Sequence, residues 1–441
     1  MQTETTAVPP RIPAQRSHTN FVLMILGRII SELGTSVFTF SVNLYVLNVT
    51  HSAALYSLVL SFSILPNLVS NFAGGLLVDR YNKKRLMVGS DFASGGLLFG
   101  FLVLFLRFPS NVLIIALCSM ALAVTQNIFS LTMTSSIANT VNREQVPKLN
   151  SVFTGYGSAI SVGGSFLGVL AYQNLSMPAI FCMNGLSFLF SAVLELFIVF
   201  YGTTREVPQK KQNPLKDYRN TLLYINGHRR IKTLFLVENF MLFVFAPLGS
   251  IIVPYVAYQV IDVSKFQFAV VQAGLPVGSL IASFIIMFLS VSAASLMKRV
   301  FRLAYLQIFG IMLACVPGLL VLFDQSKWIS TSAFFAVLIF LGIVTVSRGI
   351  PISSYFQNTV DESTRGKFFA VQNTLSSLFS LLGIWLYGIL LDHFAWTGIL
   401  LVSAAVSIVV IFNIRRWAKH AENSGVNAII SENNFTEGQD T

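Results

Sequence analysis

The 441-residue chain is 54% hydrophobic and only 11% charged, with a formal net charge of +11 and a mean hydropathy of +0.71. Soluble globular chains carry about 25% charged residues, so this composition excludes a water-soluble protein. Its apolar runs are continuous over the length a bilayer core requires, which favours spanning helices over the alternating strands of a membrane barrel.

In chain order, residues 1–19 are polar, hold Pro9, Pro10 and Pro13, and lack the apolar centre of a cleavable signal. They are expected to form a cytoplasmic tail ahead of a retained first helix. Twelve spans are then expected, near 20–47, 53–78, 86–106, 111–138, 149–173, 178–202, 233–260, 266–292, 300–322, 328–350, 367–390 and 394–414. Residues 203–232 are the one long connection, so the chain divides into a six-helix bundle at 20–202, a cytoplasmic central loop, a second bundle at 233–415 and a cytoplasmic tail at 416–441. Within that loop Leu215, Leu222, Leu223 and Ile225 alternate with basic residues and tyrosines, which fits either a short amphipathic helix on the inner membrane surface or a solvated linker. Pro254 and Pro276 are expected to kink spans seven and eight. The Asn, Ser and Glu content after Ala421 predicts a tail without regular structure.

The basic residues set the orientation. Twenty-four of the 29 Lys and Arg fall on the side that would also hold both termini, against three on the other side and Arg28 and Arg348 within spans. The positive-inside rule then puts both termini in the cytoplasm. This topology accounts for the positive charge, and no folded basic segment remains to suggest nucleic acid as a partner. Cys118, Cys182 and Cys315 lie inside apolar runs without metal or disulfide spacing, so core packing is expected and no metal site.

The halves are related in sequence. At an offset of 219 residues Asn139, Thr140, Val141, Lys148, Val152, Ser158, Ser161 and Gly164 coincide with Asn358, Thr359, Val360, Lys367, Val371, Ser377, Ser380 and Gly383. Parallel six-helix repeats are an arrangement of transporters, in which one half rocks against the other around a midplane site.

Span two closes on Gly75, followed by Asp79, Arg80, Lys83, Lys84 and Arg85. Gly75 permits close helix approach, Asp79 sets a negative charge at the membrane edge, and the basic cluster holds the loop in the cytoplasm. This stretch resembles the signature of the major facilitator superfamily at Gly75, Asp79, Arg80, Lys83 and Lys84, and departs from it at Asn82, where the family usually has glycine. Asparagine tolerates left-handed backbone angles, so the turn is expected to survive. The resemblance extends from about residue 20 to 415 and implies an all-α polytopic fold of two six-helix bundles, with Asp79 as an inner latch against Phe368 and Phe369 of span eleven. More narrowly, the first span and the segment from Pro214 to His228 resemble the bacterial macrolide-efflux and enterobactin-exporter branch, which implies export. The antiporter signature of span five is incomplete: Gly164 and Gly168 remain as a small-x-x-x-small packing face, without the proline and final glycine.

A charge at mid-bilayer costs about 2.5 kcal/mol or more, which makes every intramembrane ionisable residue a candidate. Arg28 and Glu32 stand four apart on one face of span one and either neutralise each other or couple protons, with Arg28 adjusting Glu32. Asp91, Glu195 and Glu238 fall nearer the inner surface, where they either partner loop arginines and snorkel or take part in coupling. Arg348 at the end of span ten either meets an acidic group or reaches the cytoplasm. Glu32 is the first candidate for coupling and Glu238 the second. Phe38, Phe40, Phe240, Phe243 and Phe245 either pack against lipid and core or line an apolar cavity.

The expected function is a secondary transporter in a bacterial plasma or inner membrane, exporting an amphiphilic, drug-like or macrolide-like small molecule with protons as coupling ion, as a monomer and without a cofactor. An importer or uniporter of a metabolite or lipid in the same fold is the alternative. The P-loop pattern of nucleotide hydrolases is missing, and no histidine falls within a span to build an intramembrane enzyme.

Overall fold

The protein is described by a computed structural model covering residues 12–109, 111–142, 146–201, 214–288, 293–320, 326–360 and 362–437. Among the described residues there is no β-strand. The first six spans are helices α1 (Ala14–Thr50), α2 (Ala53–Arg80), α3 (Lys83–Arg107), α4 (Val112–Thr140), α5 (Val146–Asn174) and α6 (Met177–Leu196). A surface helix α7 (Pro214–Gly227) follows. The remaining spans are α8 (Arg229–Val260), α9 (Lys265–Phe288), α10 (Val300–Leu320), α11 (Lys327–Thr359), α12 (Glu362–His393) and α13 (Trp396–Glu437). Each expected span has its own helix, although α6 stops at Leu196, short of the expected end at 202, and among the described residues ten of the helices are long and apolar enough to cross a membrane, with a shorter apolar stretch at Ala53–Leu68.

Short polar residues cap the starts of several of these helices. Ser52 Oγ accepts from Leu55 N at 3.2 Å, and Asn111 Oδ1 from Leu113 N at 3.0 Å, each satisfying an amide that would lack a partner in the first turn. Asn82 works in the same way, with its Oδ1 accepting from Arg85 N at 3.1 Å and its φ at −64°. The turn thus survives the loss of glycine through a side-chain cap, and the left-handed angle expected for Asn82 is not used. Among non-glycine residues the left-handed region holds His51 and Asp262.

Pro254 lacks an amide proton, and π-helical turns at Leu248–Ile252 and Val256–Val260 flank it within α8. The segment from Pro214 is a helix: Thr221 and Ile225 are buried, and Tyr218 and Tyr224 lean on a cluster that includes Phe235, Phe356 and Phe368. After Ala421 the chain continues helically to Glu437, where no regular structure was expected. Extending an existing helix avoids the cost of nucleating a new one.

The chain separates into two packed units, residues 1–212 with 257–276, and residues 213–256 with 277–441. In the first, α1 packs on α5 and α6, α2 on α4, and α3 on α4 and α6. In the second, α8 packs on α12 and α13, and α10 on α11 and α13. Spans one and five of the first half are thus matched by spans seven and eleven of the second. The stretch 257–276 belongs to the second half in sequence but groups with the first in packing. Phe268 rests on Phe40 with ring centroids 5.5 Å apart, and Gln259 Nε2 donates to Leu47 O at 2.6 Å, beside the His51 amide that the same carbonyl accepts at the end of α1.

One pair of the sequence repeat has a shared mechanical role. A Cβ on Gly164 of α5 would collide with Ser36 of α1, and one on Gly383 of α12 would collide with the Phe243 carbonyl of α8 and come 3.1 Å from Pro247 Cγ. Gly168, one turn along α5, meets Phe40 Cβ at 2.8 Å in the same test. Both seams need backbones closer than any side chain allows. Gly164→Val and Gly383→Val are each expected to cost about 1–3 kcal/mol through overpacking. Lower thermal midpoints in detergent would register this cost, and unchanged midpoints for both variants would contradict it.

Candidate functional site

Each unit holds charge inside its helices. In the first, Arg28 and Glu32 sit near the middle of α1, four residues apart, with Arg28 Nε 2.6 Å from Glu32 Oε1. Arg28 Nη1 also donates to Met133 Sδ of α4 at 3.3 Å, and its guanidinium lies 5.7 Å from the centroid of the Phe129 ring. The arginine is therefore steered by α4 as well as by its own helix.

Continuing along that face of α1, Thr35, Thr39 and Asn43 follow Glu32 at helical spacing. They open on a cavity of about 240 Å³ shared with Ser63 and Asn67 of α2 and Ser119, Gln126 and Asn127 of α4. Gln126 Nε2 donates to Thr35 Oγ1 at 3.2 Å, and Asn127 Nδ2 is buried without a hydrogen-bond partner. The lining is neutral and rich in hydrogen-bonding groups, with Phe38 as its aromatic wall. Phe38 is itself held edge-on by Phe181, with ring centroids 5.0 Å apart. Phe40 sits in the α1–α5 seam.

Asp91 of α3 and Glu195 of α6 are 1% and 2% exposed. Ser191 Oγ donates to Glu195 Oε1 at 3.4 Å, and the far oxygens, Asp91 Oδ2 and Glu195 Oε2, have no hydrogen-bond partner. Among the described residues, the cation within electrostatic reach of both is Arg28. Sequence distance from the span ends suggested a wet location. The packing of α3 on α6 and α4, and of α6 on α1, where a Cβ on Gly27 would stand 3.2 Å from Ser191 Oγ, makes it a dry one.

In the second unit Arg348 of α11 is 2% exposed and pairs with Glu238 of α8 through a short Nη1–Oε2 contact. Its Nε donates to Gln307 Oε1 of α10 at 3.0 Å, and Gln307 Nε2 donates to Thr345 Oγ1 at 3.2 Å. Beside this group Ser376 Oγ of α12 donates to Asn239 Oδ1 at 3.2 Å, and Gln372 Nε2 donates to Ser376 Oγ at 3.2 Å. Three helices are thus joined by one buried cation, a carboxylate and an amide.

The structure brings together Arg28 with Glu32, Asp91 with Glu195, and Glu238 with Arg348. Of the loop motif, Lys84 Nζ donates to Leu196 O at 2.7 Å, closing the end of α6, and Lys83 Nζ reaches Asn139 Oδ1 at 3.5 Å. The side-chain surroundings of Gly75, Asp79 and Arg80, and with them the latch implied for Asp79, lie outside the described residues. Phe368 is fully buried within the second unit, edge-on to Phe356.

Gln307, Gln126, Asn127 and the pairing of Glu195 were not singled out in the sequence. A search for amides as well as charges within apolar runs finds the first three, since a buried amide also needs a partner.

The family described as the Major Facilitator Superfamily matches residues 24–384. Macrolide efflux protein A of Streptococcus pyogenes is 20% identical over 410 residues, covering 90% of this chain and 96% of that protein. A variant of nucleoside transporter NupG superposes with a TM-score of 0.71 at 11% identity, covering 90% of this chain and 99% of that one. A bacterial homologue of iron transporter ferroportin in an inward-facing state gives 0.64 at 15% identity, with 90% and 98% covered.

Proposed function

The chain belongs to the Major Facilitator Superfamily, and on that premise we propose that it is a proton-coupled exporter of amphiphilic, drug-like small molecules. Membership and a chain-long helical fold make it a multi-pass membrane transporter. Export is supported by the similarity to Macrolide efflux protein A, which runs through 90% of the chain. The observation that carries the coupled reading is the polar stripe of α1, on which the Arg28–Glu32 ion pair leads into the cavity walled by Thr35, Thr39 and Asn43.

An ion pair inside a bundle costs desolvation that apolar residues would not, so it is a candidate for work beyond stability. Glu32 exchanges a proton, Arg28 adjusts it, and the neighbouring amides and hydroxyls hold the polar part of the cargo. Glu238 and Arg348 form the corresponding charged group of the second unit. The protein works as a monomer in a bacterial cell membrane with both termini and the Gly75–Arg85 loop in the cytoplasm.

A second reading, uptake or uniport of a small polar metabolite, is favoured by the cavity itself. About 240 Å³ of neutral, hydrogen-bonding space suits one sugar-sized group better than a whole macrolide. Everted vesicles from a host lacking its own pumps separate the two. Accumulation of a macrolide on imposing a proton gradient is expected, and flux of nucleosides or sugars without any drug accumulation would favour the second reading.

A further inference from the structure

We propose that Asp91 and Glu195 form a shared proton-binding site buried between α3 and α6, and that Arg28 responds to its occupancy. The proposal deepens the coupled-transport reading by placing a second proton-binding position one helix layer away from Glu32.

The argument begins with a charge count. Arg28, Glu32, Asp91 and Glu195 form one electrostatic group, on α1, α3 and α6. Arg28 already pairs with Glu32, so it offsets one carboxylate and leaves two. Among the described residues, the charged groups facing them from the surrounding elements are few. From α1 they are Arg28 and Glu32. From α4 there are none, since Val112–Thr140 contains no Asp, Glu, Lys, Arg or His. From the start of α3 there is Lys84, whose ammonium is engaged with the Leu196 carbonyl at 2.7 Å. Two uncompensated carboxylates in a dry, low-dielectric pocket repel each other and lose their hydration, and binding a proton relieves both costs.

The geometry favours a proton over a metal cation. Asp91 Oδ2 and Glu195 Oε2 are sealed from solvent and have no hydrogen-bond partner. A proton occupies one of those oxygens as an O–H bond and fills no space, whereas an ion of sodium size requires several oxygens around an open centre. Among the described residues no group of three or more His, Cys, Asp or Glu is arranged to hold a metal. Ser191 Oγ donates to Glu195 Oε1 at 3.4 Å and lies within hydrogen-bonding reach of Asp91 as well, so one hydroxyl serves both carboxyls.

The consequence is a switch. With the proton bound, the pair is less negative and Arg28 stays on Glu32, as seen here. When the proton leaves as hydronium, the pair gains one negative charge and draws the guanidinium away from Glu32. The distance to cover is short, since Gly27, the neighbour of Arg28, packs against Ser191 and Glu195 Cγ, at 3.2 and 4.0 Å from an added Cβ.

Infrared difference spectra of the full-length protein in lipid nanodiscs test the site without any substrate, so failure here is separable from failure of the transport reading. Wild type at neutral pH is expected to show a protonated-carboxyl C=O band that shifts in heavy water. Asp91→Asn and Glu195→Gln should each remove or halve it, and Glu32→Gln should keep it. The measurement on wild type needs no variant to fold: no such band, or a band displaced by sodium or calcium at fixed pH, would overturn the proposal. Persistence of an unaltered band in both Asp91→Asn and Glu195→Gln would overturn it as well.

Discussion

Glu238→Ala is expected to destabilise the protein by about 3–5 kcal/mol, more than Arg348→Met, although the two residues form one ion pair. The asymmetry follows from burial. The Arg348 side chain is 3% exposed and that of Glu238 27%. Removing the glutamate strands a full positive charge in a dry site, where Gln307 Oε1 at 3.0 Å supplies a dipole but no counter-charge. Removing the arginine leaves a carboxylate that water reaches, so the loss there is set mostly by the bonds to α10 and is about 1–3 kcal/mol. The double variant Glu238→Gln with Arg348→Met deletes both charges while keeping volume, and is expected to recover most of the stability lost by Glu238→Ala. Thermal unfolding in detergent, followed by fluorescence-detected size exclusion, reads all three. If Glu238→Ala proved the mildest of the set, the buried-cation account of this group would be wrong.

The second large effect is on coupling. Glu32→Gln keeps the shape of the side chain and removes its charge and its titration. Arg28 then loses the partner at 2.6 Å but keeps Asp91 and Glu195 within electrostatic reach, so the fold is expected to change little. Transport is expected to change much. Drug accumulation driven by a pH gradient should fall by about 5- to 150-fold, the range of a coupling free energy of 1–3 kcal/mol, while exchange without a gradient continues. The dependence of the rate on pH should flatten with it. A variant that accumulates drug normally, with the wild-type pH profile, would remove Glu32 from the mechanism.

How much of this was legible from the residues differs with the kind of signal. Spans were legible because length and apolarity are local properties: each of the expected twelve has its own helix, with α6 ending early at Leu196. Gly164 and Gly383 were legible as a repeated identity, but the seams they serve required knowing that α1 packs on α5 and α8 on α12. The i, i+4 spacing made the Arg28–Glu32 pair readable on one helix, whereas Glu238 and Arg348 are 110 residues apart and meet only through tertiary packing. Asp91 and Glu195 misled for a related reason. Asp91 is eight residues into α3, ~12 Å along its axis, and Glu195 is next to the last residue of α6, which suggested solvent access. Depth along the axis says nothing about which face is turned inward: α3 packs on α6 and α4, and α6 on α1. Asn82 departs from the family pattern and still serves the turn, because its side chain caps α3 with no unusual backbone angle.

The most direct test of coupled export is proton movement during drug flux in proteoliposomes that hold the purified full-length protein and a trapped pH indicator. With erythromycin as the macrolide probe, protons are predicted to cross against the direction of the drug, in wild type and not in Glu32→Gln. Erythromycin crossing with no proton movement, or with protons travelling in the same direction, would contradict the account.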